Sequence, residues 1–226
     1  MPELGRGVGI LYAVATPIGN LEDITLRALR ILKEVDLIAA EDTRKTRKLL
    51  THYDIHTPLT SYYGREGKAD YLIAALKTGK NVAIVSEAGT PGISDPGYPL
   101  IKKAIENRIT VQSIPGPCAA ISALVVSGLP TEGFIFTGFL PRKKGRLIKR
   151  LRELFSFEKT VIFYESPNRV VATLEMVKEN FGEVNVVIAR ELTKKFEEVV
   201  RGNIDHMLTL LRGRKIKGEV IVLLHK

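Results

Sequence analysis

The residues best suited to chemistry in this chain stand in three short stretches, each directly after a run that reads as a buried strand. The richest is SEAGTPGISDPGYP, Ser86 to Pro99, where Gly89, Gly92 and Gly97 are interleaved with three prolines. Glycine lets a backbone come close to a ligand and proline fixes the path of the loop, so this stretch suits a binding loop better than a plain crossover. Thr16, Pro17, Ile18, Gly19 and Asn20 follow the first strand-like run, and Glu41, Asp42, Thr43 and Arg44 follow the second. Paired acids at a strand end could orient a substrate hydroxyl or hold arginines that grip phosphate. Asp42 or Thr43 could equally do no more than cap the next helix.

Two further stretches qualify the picture. IPGPCAAISAL, Ile114 to Leu124, sets Cys118 and small side chains at the start of an apolar helix, where backbone N–H groups are free. A thiolate nucleophile there is one reading. The four histidines lie in no partner motif, so close approach of a flat ligand to small residues is the simpler one. Arg142, Lys143, Lys144, Arg146, Lys149, Arg150 and Arg152 put seven cations into eleven residues just after Phe139, Leu140 and Pro141. Such a run suits a phosphate backbone, against the plainer reading of a solvated helix face. Tyr62 and Tyr63, with Arg65 beyond, could stack on a base or pack into the core. GRGVG at Gly5 to Gly9 precedes a strand, whereas a dinucleotide fingerprint follows one, and there is no GxxxxGK[ST] run. The scattered histidines give no zinc spacing, so no metal is expected.

The elements that must position these stretches alternate. A strand at Ile10 to Thr16 precedes a helix marked by Ile24, Ala28, Leu29, Ile31, Leu32 and Val35, with Asn20, Glu22 and Asp23 as its acidic N-terminal turn. Strands are expected at Leu37 to Ala40, near Leu59, at Val82 to Val85 and at Thr110 to Ser113, with helices at Thr43 to Leu50, Lys68 to Leu76 and Pro99 to Glu106 between them. Alternation of this kind implies right-handed crossovers and a mostly parallel sheet whose binding loops share one edge. A helix at Cys118 to Val126 then leads to strands at Phe134 to Thr137 and Val161 to Tyr164, flanking a basic helix at Arg146 to Leu154. A helix at Asn168 to Asn180, strands at Val186 to Ala189 and Glu197 to Val200, a helix at Ile204 to Leu211 and a strand at Val220 to Leu224 complete the chain. Successive strands without a helix predict antiparallel pairs and a mixed sheet. The expected architecture is two α/β domains, 1–114 and 115–226, parted near the Pro115, Gly116, Pro117 turn with a cleft between them.

Composition narrows the function classes. With 226 residues and 45% apolar content the chain can bury ordinary cores, and its single cysteine excludes an internal disulfide. The longest apolar run is too short for a membrane span, and Met1 to Gly9 carries no signal-peptide-like stretch, so a cytoplasmic protein is expected. A formal charge of +9 biases the chain toward polyanionic partners.

Read in order, VATPIGNLEDIT, AEDTRKT, SEAGTPGISDPGYP, PGPCAAISAL, GFLPRK, FYESPNR and RELTKKFEE resemble the small-subunit ribosomal RNA methyltransferase branch of the tetrapyrrole methylase superfamily, from about Gly9 to Leu224. The resemblance implies a class III methyltransferase, a homodimer that binds S-adenosylmethionine between its domains and methylates a cytidine 2′-hydroxyl in 16S rRNA. It implies cofactor contacts at Pro17, Glu87, Ala88, Gly89, Thr90, Ile93, Pro115, Gly116, Pro117, Cys118, Ala119, Tyr164, Glu165, Ala189 and Gly218. With an RNA substrate, the charge pattern assigns phosphate contacts to Arg44, Arg47, Lys48, Arg142, Lys143, Lys144 and Arg146. Asp42, Glu87, Glu165, Glu191 and Lys194 are nominated around the transferred methyl, because each lies at or beside an expected strand end. Corrinoid-modifying relatives resemble a GxGPGD pattern in the first loop and a GDP triplet where this chain has Gly89, Thr90 and Pro91, and the departure favours the RNA branch. Methylation of a corrinoid or of a modified protein residue is the alternative within the class, and a non-catalytic ribosome-assembly factor the alternative outside it.

Overall fold

The computed structural model describes residues 7–64 and 66–226, so Arg65 and the first residues of GRGVG lie outside it. The chain divides into two compact units, one ending at Cys118 and one running from Ala119 to Lys226.

The first unit alternates strands and helices: β1 (Leu11–Val14), α1 (Leu26–Glu34), β2 (Leu37–Ala40), α2 (Thr43–His52), β3 (Leu59–Ser61), α3 (Glu66–Lys77), β4 (Val82–Val85), α4 (Gly97–Glu106) and β5 (Val111–Ile114). The strands pair in parallel in the order β3-β2-β4-β1-β5. Period-two alternation then sorts their side chains. Val14, Ile38, Ala40, Ala83 and Val85 face Ala28, Ile31 and Leu32 of α1 and Leu49 and Leu50 of α2. Leu11, Ala13, Ala39, Val82 and Ile84 face Leu72 and Leu76 of α3 and Leu100 and Ala104 of α4. Both faces are covered at the central strands β1, β2 and β4, which is why these three read as unbroken apolar runs. The connection after β1 passes over β4 to reach β2, while the one after β4 passes over β1 to reach β5. Right-handed crossovers running in opposite directions put α1 and α4 on opposite faces, and ligands of such sheets bind where adjacent strands diverge in this way.

The start of α1 differs from expectation. Asn20, Glu22 and Asp23 form a separate 3-10 turn (Leu21–Asp23) capped by the Asn20 side chain, and α1 has its own cap in Thr25, whose hydroxyl accepts from Ala28 N–H at 3.1 Å. Two capping residues five positions apart let the chain turn twice before the apolar period begins.

The second unit contains α5 (Ala119–Val125), β6 (Phe134–Phe139), α6 (Lys144–Phe155), β7 (Thr160–Glu165), α7 (Val170–Phe181), β8 (Asn185–Arg190), β9 (Glu198–Asn203), α8 (Ile204–Leu211) and β10 (Val220–His225). Its sheet, in the order β6-β7-β10-β8-β9, is parallel at β6/β7 and antiparallel elsewhere. Val161, Phe163, Val186, Ile188 and Val222 build one core with Leu147 and Leu151 of α6, Leu174 and Val177 of α7 and Met207 of α8. Leu147, Leu151 and Leu154 follow the helical repeat, so Arg146, Lys149 and Arg152 fall on the exposed side of α6. Val220 pairs with Glu165 on one side and Arg190 on the other, which brings the ends of β7 and β8 and the start of β10 to one edge.

Candidate active site

The carboxyl edge of the first unit gathers the loops singled out by sequence. Thr16 and Gly89 exchange main-chain hydrogen bonds, each 3.0 Å, so the loops after β1 and β4 are tied together. Gly89 has φ +82°, and a Cβ there would stand 3.3 Å from Ile18 Cγ2 and 3.5 Å from the Pro117 carbonyl. Thr90 donates its hydroxyl to that same carbonyl at 3.0 Å, which brings in the turn after β5. Gly116 lies against Ala15, whose Cβ would be 2.9 Å from a Cβ added at Gly116. The Thr16 hydroxyl is buried and has no hydrogen-bond partner among the described residues. A buried hydroxyl normally has a partner, so this one suits a polar ligand atom.

Asp95 holds the long loop in shape. Its carboxylate accepts from the N–H groups of Gly92 at 2.9 Å, Ile93 at 3.2 Å and Gly97 at 2.6 Å. The last of these opens α4, so one carboxylate both folds the loop and complements a helix start. Of the other residues expected at this edge, Pro117 and Cys118 are partly buried, while Ala88, Ile93 and Pro115 are exposed.

The acids divide by role. Asp42 caps α2, accepting from Arg44 N–H at 2.8 Å and Lys45 N–H at 3.3 Å, and these two bonds hold its carboxyl below the usual range. Glu87 is ion-paired with Lys45. Glu41, the neighbour of Asp42, accepts from Glu87 N–H at 3.0 Å. Burial pushes the Glu41 carboxyl up; that single bond offsets part of the shift, and the nearby Asp95, Glu87 and Asp42 add to it. A raised carboxyl is the better proton acceptor, so Glu41 joins Asp42 as a candidate acid at this strand end. A signal existed: Asp42 directly precedes the helical run and is the natural cap, which leaves Glu41 as the unused acid. Arg44, Arg47 and Lys48 stand exposed along α2. Tyr62 is buried in the core and Tyr63 is exposed.

The corresponding edge of the second unit holds Tyr164, Glu165, Ala189, Glu191, Lys194 and Gly218. Glu165 is buried. It accepts from Ser166 N–H at 2.8 Å and from the Thr173 hydroxyl at 2.8 Å, and lies 3.4 Å from the Arg169 guanidinium. Arg169, which sequence reasoning did not single out, also donates to the Pro141 carbonyl at 3.3 Å and so links the ends of β6 and β7. Glu191 accepts from Glu219 N–H at 2.9 Å and from Lys194 Nζ at 2.9 Å, and those contacts, in that order, hold its carboxyl down. Burial by itself would lower the Lys194 ammonium, but Glu191 and Glu219 outweigh it and raise it. Gly218, at φ +87°, leaves room for Glu191, whose Cδ would be 2.5 Å from a Cβ at that position. Glu191 and Lys194 thus meet as an ion pair that braces the turn after β8. Ala189 is fully buried within β8, and Ala119 opens α5. Among the described residues no group of three or more His, Cys, Asp or Glu is placed to hold a metal ion, and no helix is long and apolar enough to cross a membrane.

A parallel sheet with converging loops at one edge, joined in sequence to a mixed α/β unit, is a two-domain methylase architecture. Residues 10–208 match the Tetrapyrrole (Corrin/Porphyrin) Methylases. The chain belongs to that family and is a methyltransferase. It is 52% identical over 213 residues to the Ribosomal RNA small subunit methyltransferase I of Halalkalibacterium halodurans, covering 93% of this chain and 74% of the relative. It is 48% identical over 219 residues to the protein of the same name from Thermotoga maritima, covering 96% and 98%. Among solved structures, diphthine synthase superposes with a TM-score of 0.74 at 14% identity, over 96% of this chain and 90% of that one. Uroporphyrin-III-C-methyltransferase from Thermus thermophilus does so with a TM-score of 0.64 at 20% identity, over 95% and 94%. At such identities these two speak for the fold alone.

Proposed function

We propose that this methyltransferase acts on 16S rRNA of the small ribosomal subunit, transferring a methyl group from S-adenosylmethionine to a cytidine 2′-hydroxyl. The observation that carries the substrate is the level of identity, about half of all positions over nearly the whole chain, to relatives named for small-subunit ribosomal RNA methylation. The exposed cations of α2, beside the loops of the carboxyl edge, support a polyanionic substrate. The same reading has the protein act in the cytoplasm as a homodimer.

The buried Thr16 hydroxyl, unpartnered among the described residues, fits a cofactor rich in polar atoms. S-adenosylmethionine supplies an electrophilic methyl on a sulfonium. The chain's share is to hold the ribose oxygen in line with that methyl and to accept the proton it loses. Orientation of two bound reactants is worth roughly 7–11 kcal/mol and a positioned base about 10²–10⁴-fold in rate, so positioning carries most of the acceleration. Glu41 is the acid whose surroundings favour accepting that proton, and the Lys45–Glu87 pair limits how far neighbouring negative charge accumulates around it.

The test is to mix the protein with radiolabelled S-adenosylmethionine and small subunits that lack the modification, then digest the RNA and locate the label by mass spectrometry. Label on a cytidine ribose is expected. Label on a base or on ribosomal protein, or no transfer at all, overturns the assignment.

A further inference from the structure

The end of β6 carries an aromatic side chain that the reaction does not use. Opposite the two β7 residues Ile162 and Tyr164, β6 sets Phe136 and Phe139, so it holds one residue more than its partner. Without that extra residue, positions 136 and 139 would point to opposite faces. With it, Phe136 and Phe139 share the face of Tyr164, and both rings meet Tyr164 edge-on, at centroid distances of 5.0 and 5.6 Å. Phe139 is nevertheless 63% exposed. Its ring forms one wall of a cavity completed by Leu140, Arg142, Glu165, Ser166 and Arg169.

Charge says what would enter. The Glu165–Arg169 contact neutralises the floor of the cavity. Arg142, which lines the cavity, and Lys143 and Arg146, which follow it closely in sequence, are exposed and form no ion pair among the described residues. An exposed ring beside unpaired cations matches a ligand that alternates flat apolar faces with phosphates.

We propose that this cavity is a nucleobase subsite, in which an unpaired base of the RNA stacks on Phe139 while Arg142, Lys143 and Arg146 hold the flanking phosphates. The subsite rests on the ribosomal RNA reading above and adds a means of recognising single-stranded RNA. Tyr164 and Phe136 support the ring, so it is already set for stacking before RNA arrives.

The experiment compares the full chain with Phe139→Leu and Phe139→Trp. Binding is measured to a single-stranded RNA of about 12 nucleotides and to an abasic strand of equal length. Phe139→Leu is expected to weaken binding of the base-bearing strand about five- to hundredfold, to leave the abasic strand unchanged, and to leave S-adenosylmethionine affinity and the melting temperature unchanged. Phe139→Trp is expected to bind as the parent does. Equal loss on both strands overturns stacking. Loss of S-adenosylmethionine affinity places the ring in the cofactor site instead, and a change in sedimentation places it between copies of the chain; either overturns the proposal. Base-dependent binding by a parent protein that transfers no methyl to small subunits would remove the ribosomal reading and leave the subsite standing.

Discussion

Thr16 and Gly89, one residue on each of two loops, hold each other through a reciprocal pair of main-chain hydrogen bonds, each 3.0 Å. The pair extends the contact between β1 and β4 past the end of their parallel ladder. Its geometry depends on Gly89 adopting φ +82°. Gly89→Ala would add a backbone penalty of roughly 1–2 kcal/mol and press on Ile18 Cγ2. The expected result is a lower melting temperature with a larger proportional loss of S-adenosylmethionine affinity, read by calorimetry. Unchanged affinity would separate this loop from the cofactor.

Gly218→Ala tests the turn after β8 in the same way. A Cβ 2.5 Å from Glu191 Cδ cannot be accommodated unless Glu191 swings away from Lys194 and Glu219 N–H. Together with φ +87°, this should cost about 1–3 kcal/mol by denaturant titration. Gly218→Ala in a Glu191→Ala background should cost less, because the clashing side chain is gone.

Glu41 gives a pH test with a definite sign. Its carboxyl is raised on folding, so the folded protein binds this proton more tightly than the unfolded chain does. Stability is therefore lost as pH rises from the ordinary value of 4.5 through the folded value, and the loss persists above it. Glu41→Gln keeps an acceptor for Glu87 N–H and removes the charge. It should gain stability over the parent at neutral pH and show no gain at acid pH. If Glu41 accepts the ribose proton, methyl transfer should fall about 10²–10⁴-fold in the same variant. Full activity in Glu41→Gln would assign the proton elsewhere.

Asp42 is separated from catalysis by comparing two replacements. Asparagine still caps α2 and alanine does not. If capping is the whole role, Asp42→Asn should retain activity and stability, and only Asp42→Ala should melt earlier. Inactive but stable Asp42→Asn would restore Asp42 to the reaction.

Salt tests the phosphate contacts. The slope of log affinity for RNA against log salt should fall by about 0.7–0.9 for each of Arg142→Gln and Arg146→Gln if each meets one phosphate. An unchanged slope would return these cations to the solvated face of a helix.

Much of the fold was legible because its signals are local. The central strands of the first unit read as short apolar runs, since both their faces are buried, and α6 read as basic because its buried leucines leave the cations outside. The convergence of the loops after β1, β2 and β4 followed from the parallel topology, which fixes a shared edge. The Asn20 to Thr25 segment did not read correctly, because two capping residues in succession look like one cap with an acidic turn. The capping position of Asp42 marked Glu41 as the unused acid, but the burial that raises the Glu41 carboxyl comes from tertiary packing and could not be read locally. Arg169 was invisible for a similar reason: its partners, Glu165 and the Pro141 carbonyl, meet it only through strand pairing.

The position of β1 also bears on how the protein comes into being. Leu11 is made well before both its neighbours in the sheet, Val82 and Val111. Until β4 has emerged this strand has no partner on either side, and until β5 has emerged it is paired on one side only. A nascent chain stalled before β4 would therefore expose an unpaired apolar strand, making that window of translation the stage at which helper proteins or neighbouring chains have most opportunity to bind it.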